Sequence, residues 1–242
     1  MKEKDKIPST FEDLNRKIYK DKSINHINML PGDLKRSPDE SFFKNSIVFI
    51  DGNFLSKLSN HFGEGKYLIY DLIIFSKNLT IKQKLSCQNI FYYTAPPFQS
   101  AFPSKEEENK KFGYDRFINK LREKGVIVRE GRCQRLKIDG KFEYRQKAVD
   151  ILLAMDLMSV PLKYKEVKRI ILIASDSDFV PVIKSLKDQG ISTILYTYYE
   201  KKRNTNFSRS NHLIKSVYKY VLLSKKDFDN SKLIKNQEKK HE

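Results

Sequence analysis

The chain has 242 residues, which suits one domain of ordinary size with tails and is cramped for two. Lys and Arg total 47 against 30 Asp and Glu, a formal charge of +17, so a polyanionic partner is expected, nucleic acid ahead of an anionic membrane surface. Cys87 and Cys133 stand far apart without a neighbouring His or Cys at ligand spacing, which argues against a zinc site and a disulfide framework, and no apolar run reaches the length of a membrane span.

An AT-rich genome would also raise the lysine count, so placed arginines carry more weight than lysines in total. The N-terminus, MKEKDKIPSTFED, lacks the apolar core of a signal peptide, and a cytoplasmic protein is expected. Residues 1–45 read as a polar arm. Within it Ser9 and Glu12 have capping-box spacing, and Phe11, Leu14 and Ile18 make a narrow apolar stripe that could dock on the core, a second copy or a protein partner.

Short β-branched or aromatic runs follow at 46–50, 89–94, 126–129, 169–174 and 192–196, each too short for a helix. Helical patterns separate most of them, at 67–77, 105–124, 148–159 and 180–189, with a last one near 208–216; Gly125 and Gly190 stand where helices stop. Residues 136–144 read as a hairpin turning at Asp139-Gly140. Alternation of strand and helix implies an α/β domain over 46–222, with a mostly parallel sheet of about five strands and helices on both faces. Residues 223–242, which include KKDFDNSKLIKNQEKKHE, carry too little apolar content to pack and read as a mobile tail.

In such a sheet the ligand site lies beyond the carboxyl ends of the strands. The first strand, SIVFI, runs into Asp51-Gly52-Asn53, and the fourth, RIILIA, runs into Ser175-Asp176-Ser177-Asp178-Phe179. A third acid, Asp150, opens the helix VDILLAMDLM, which is apolar nearly all round and therefore expected to be largely buried. Turn-forming, helix-dipole and N-capping roles would each explain one acid. Together they are harder to explain, because two carboxylates about 4 Å apart repel by about 4 kcal/mol at an effective dielectric near 20. A hard divalent cation, Mg²⁺ or Mn²⁺, removes the difficulty, and Asn53 adds a neutral oxygen.

These motifs resemble the NYN domain, of the LabA-like branch of the PIN-like nucleases. That family's pattern is Asp-x-Asn after a strand, then Lys-Gly-Val-Asp-hydrophobic-x-Leu-Ala-x-Asp, then an apolar strand ending in Ser-Gly-Asp-x-Asp-Phe. Here the second and third motifs read Lys147-Ala148-Val149-Asp150, continuing to Asp156, and Ala174-Ser175-Asp176-Ser177-Asp178-Phe179, so Ala148 and Ser175 stand where the family has glycine. The resemblance implies a single Rossmann-like, PIN-like domain and a metal-dependent ribonuclease. Asp51, Asp150 and Asp176 would be the main catalytic and metal-binding acids with Asp178 beside them, and Asn53, Asp156 and Ser175 would support them. Asp156 lies six residues beyond Asp150 and faces differently, which suits an indirect or structural role.

Arg132, Arg135, Arg145 and Lys147 load the hairpin region with hydrogen-bond donors for phosphate, interleaved with Phe142 and Tyr144, which suits either an RNA-binding element or an ordinary solvated hairpin, and Lys147 is expected to share a helix face with Asp150. Lys201 and Arg203 follow Tyr198 and Tyr199 past a later strand, where stacking would suit single-stranded RNA. A haloacid-dehalogenase-type phosphatase would want Asp where Asn53 stands, and a receiver domain would want an acidic pair before Asp51. The remaining alternative is a weakly catalytic or non-catalytic RNA-binding module on the same fold.

Overall fold

The computed structural model describes residues 43–201 and 207–233. Expectations for the N-terminal arm before residue 43, for Arg203 and for the end of the tail fall outside these residues.

The first strand, β1 (Lys44–Asp51), is buried from Ser46 to Ile50 and lies at the centre of a sheet. It is followed by α1 (Gly52–Phe62), α2 (Leu72–Ile81), β2 (Leu85–Thr94), α3 (Lys105–Glu123) and β3 (Ile127–Glu130). A hairpin of β4 (Arg132–Ile138) and β5 (Lys141–Lys147) leads into α4 (Val149–Lys163). The second half adds β6 (Arg169–Ile173), a 3₁₀ turn (Ser177–Phe179), α5 (Val180–Asp188), β7 (Ser192–Thr197), α6 (Asn211–Ser216), β8 (Lys219–Leu222) and α7 (Lys225–Asp229).

Among the described residues six strands form one sheet in the order β3-β2-β1-β6-β7-β8, every neighbouring pair parallel. The order reverses between β1 and β6, and a parallel sheet opens a crevice at such a switch point beyond its strand ends. Strand alternation divides the core. Val48 and Ile50 face α1, α2, α3 and α7, whereas Ile47 and Phe49 face α4, α5 and α6.

Several boundaries differ from the sequence reading. Asp51-Gly52-Asn53 opens a helix, α1, instead of a free turn. Gly52 is required there by close approach, because a Cβ would come within 2.6 Å of the Tyr92 ring and of the Tyr93 carbonyl on β2. The sheet has a sixth strand, β8, whose short KYVL run is too charged and too brief to stand out. Residues 223–233 belong to the folded body rather than to a tail. Phe228 is only 1 % exposed, packed among Phe62, Tyr70 and Phe75, and the Asp71 amide donates to the Ser231 carbonyl at 2.7 Å. One aromatic ring in the right place does what a longer apolar run would do.

Helix α4 is also less buried than its composition predicts. Val149, Leu153, Leu157 and Val160 pack on the sheet, while Ile151, Met155, Met158 and Leu162 are exposed. The hairpin is longer than expected, Arg132 pairing with Lys147, and its turn has positive φ at both Asp139 and Gly140, as a two-residue turn of this hand needs.

Candidate active site at the sheet switch point

Asp51 ends β1 and caps α1. Its Oδ1 accepts from the amides of Asn53 at 3.0 Å and Phe54 at 3.1 Å, which satisfies two orphan donors of the helix start. Asp176 does the same one strand away, Oδ1 accepting from the Asp178 amide at 2.9 Å to open the 3₁₀ turn. Because β1 pairs with β6 in parallel, Ile50 against Ile173, the two strands deliver their acids to one rim. Both caps use Oδ1 and leave Oδ2 for another partner.

Asp150 reaches this rim from a different direction. It lies in the first turn of α4, exposed, with no side-chain hydrogen bond or ion pair among the described residues. The turn before it is strained: Ala148 has φ 68°, a left-handed conformation that disfavours a Cβ. This is the position where the resembled pattern has glycine. Ser175, the other departure, has no positive φ, so a side chain is tolerated there.

The electrostatics show that these acids feel one another. Burial pushes the Asp51 carboxyl up from 3.8 to about 6, its two amide bonds oppose this, and Asp150 adds to the rise. Asp150 is raised as well, first by desolvation and then by the charges of Asp176 and Asp178. A cleft of about 500 Å³ joins Asp51, Asp150 and Asp176 with Asn53, and Pro96, Pro97, Tyr144 and Arg145 help to wall it. Asp178 is exposed at the edge, acting on Asp150 through space. The acids share a cleft without closing into a compact cluster, since among the described residues no three His, Cys, Asp or Glu side chains are grouped tightly enough to hold a metal.

Other expected residues take distinct places. Asp156 is buried, accepting from Tyr93 Oη at 3.0 Å and Arg129 Nε at 2.9 Å, so it ties α4 to β2 and β3. Ser175 is half-buried beside Tyr198 and Tyr199, in a smaller neighbouring recess. Lys147 is the last residue of β5 and faces Arg132 across the hairpin; it does not share a helix with Asp150. Arg145 lines the acid cleft while paired with Glu143 at 2.9 Å. Arg135 is held between two aromatic rings. Lys201 follows β7 on the same rim and is absent from the cleft walls.

Two polar cleft residues escaped the sequence reading. Lys57 lowers the Asp51 carboxyl through space and lines the cleft, and its spacing of four from Asn53 would have shown it once α1 was recognised. Gln146 lies on the same wall and carries no sequence signal of its own.

No curated protein matches the chain. Among solved structures, a Vibrio parahaemolyticus protein described as of unknown function is similar, with a TM-score of 0.48 and 15% identity, covering 77% of this chain and 96% of that one. The profile of the NYN domain matches residues 45–221, a span that begins with β1 and ends in β8 and so takes in every acid of the rim. The chain therefore belongs to the NYN domain family, whose fold is that of the PIN-like nucleases.

Proposed function

We propose that the chain is a divalent-metal-dependent ribonuclease cutting RNA phosphodiester bonds in the cleft at the switch point. The observation that carries this reading is the delivery of Asp51, Asp150 and Asp176, from three separate elements, to one crevice where their charges oppose each other. Stability alone gives no reason to assemble them, and family membership makes nuclease chemistry the natural use.

The donor set fits a hard cation. Mg²⁺ keeps several waters and commonly takes one or two carboxylates directly, so acids spaced around a cleft suit it better than they suit a fully protein-enclosed ion. Asp51 and Asp176 would hold the ion through their free oxygens, with Asp150 and Asn53 completing the polar wall. A bound divalent cation supplies a more acidic water and positive charge near a scissile phosphate. The chain's own residues supply the rest. Lys57 and Arg145 face the cleft and would orient phosphate, Arg132 and Lys147 place two like charges side by side on the hairpin, and Pro96 and Pro97 form part of the cleft wall. Asp178 would favour a proton or cation at Asp150.

The spacing of the acids favours one second reading, an RNA-binding module on this fold with little turnover. Labelled RNA incubated with Mg²⁺, Mn²⁺ or EDTA, beside an Asp51→Asn protein purified identically, separates the two. Metal-dependent cleavage that vanishes in the variant supports the nuclease. Binding with no cleavage by either protein supports the second reading, and equal cleavage in EDTA removes the metal mechanism.

A further inference from the structure

The hairpin carries more aromatic surface than its own packing uses. Its register puts Arg135 and Lys137 of β4, and Phe142 and Tyr144 of β5, on one face, because Arg135 pairs with Tyr144 and Lys137 with Phe142. The Arg135 guanidinium lies 4.6 Å from the centroid of Phe142 and 4.6 Å from that of Phe98, which belongs to the segment after β2. Phe98 in turn lies 5.8 Å from Tyr144. A two-stranded hairpin is marginal alone, and this layered contact clasps it to the body of the domain.

A clasp with no other role would hide its rings. Here Phe142 remains 56 % exposed and Tyr144 57 % exposed, beside an exposed Arg135. Tyr144 also lines the acid cleft, so the aromatic face and the acids form one continuous surface. Flat rings held by a guanidinium, open to solvent and next to cationic strands, match what unpaired bases bind: every base offers a π-face, and stacking tolerates sequence. A duplex offers no such face, its bases being stacked on each other already.

From this geometry we infer that Phe142 and Tyr144, fixed by Arg135 and Phe98, form a base-stacking subsite for unpaired nucleotides that leads a single strand into the acid cleft. The inference rests on the nuclease reading only in taking nucleic acid as the ligand of that cleft. It makes the site selective for single strands through the bases, whereas the lysines and arginines bind phosphate in any strand.

Fluorescence anisotropy in EDTA tests it without turnover, using four probes of equal length: single-stranded RNA, single-stranded DNA, an abasic single strand and duplex RNA. Wild type should bind a base-bearing single strand at least about tenfold more tightly than the abasic strand, the scale of one or two stacked bases. Tyr144→Phe should retain that ratio, and Phe142→Ala combined with Tyr144→Ala should bring it below about twofold while the melting transition persists. Should the double alanine protein fail to fold, Phe142→Leu with Tyr144→Leu keeps apolar bulk and removes the flat faces. The tighter of the RNA and DNA strands identifies the source of the bases. Equal binding of base-bearing and abasic strands by wild type overturns the subsite, as does an unchanged ratio in either folded double variant. Absent cleavage with intact base preference would instead count against the nuclease alone.

Discussion

Asp51→Asn should stabilise the metal-free protein, by an amount that grows with pH. Asparagine is as good an N-cap as aspartate, so the oxygen facing the Asn53 and Phe54 amides is kept while the ionisable group is lost. The folded carboxyl titrates near 6 against 3.8 when free. Between those values the folded protein holds a proton that the unfolded chain releases, so rising pH favours unfolding; well below 3.8 both states are protonated and the penalty is absent. Above 6 the penalty is complete, at about 3 kcal/mol from about 1.4 kcal/mol per pKa unit. Asp51 keeps some contact with solvent, so this is an upper bound. Urea denaturation in EDTA should show the variant ahead by up to about 3 kcal/mol at pH 7.5 and by roughly half of that at pH 5, with a Tm gain of up to about 6–12 °C at the higher pH. Adding Mg²⁺ should stabilise wild type more than the variant and narrow the gap. A gap identical at both pH values, or a variant less stable at both, would refute the reasoning and make Asp51 an ordinary cap.

Ala148→Gly should raise stability by about 0.5–1 kcal/mol in urea melts, because a left-handed Cβ costs about 1–2 kcal/mol and glycine returns only part of that as unfolded-state entropy. Asp150→Asn and Asp176→Asn should each slow RNA cleavage on the order of 100-fold or more, the scale of losing one electrostatic stabiliser, with RNA affinity by filter binding nearly unchanged. Replacing Arg132 and Lys147 by Ala should flatten the dependence of log binding constant on log salt by roughly 1 to 1.5 for a single strand, and superimposable curves would place the phosphate path elsewhere. Phe228→Ala should cost about 3–5 kcal/mol in denaturant unfolding, whereas a mobile tail would tolerate it.

The sequence was readable where one physical signal dominated. β1 and β6 are buried on both faces, so they appear as unbroken apolar runs, and the acids that end them could be placed on one rim from alternation alone. Gly125 and Gly190 lie just past α3 and α5 with φ of 83° and 79°, where they were expected to stop helices. α1 was hidden because Gly52 belongs to it for the sake of Tyr92 on another strand, a tertiary reason that no local window contains. α7 depends on Phe228 meeting rings from α1, the segment after it and α2. The clasp around Arg135 likewise joins Phe98 to residues about forty positions later, so charge and aromatic content were visible in the hairpin while their contact was not.

The rim acids differ in how firmly they are held. Turning the Asp51 carboxylate would break two amide bonds and turning that of Asp176 would break one, so folding itself fixes the direction of their remaining oxygens. Asp150 has no side-chain hydrogen bond or ion pair among the described residues, so no such contact fixes its side-chain torsions. The cleft thus has two stationary jaws and one adjustable jaw, and only the third must lose rotamer freedom when a charge arrives. On the proposed function, a cation held by Asp51 and Asp176 would meet two preset oxygens, and adjustment of the cleft wall to its size would fall to Asp150.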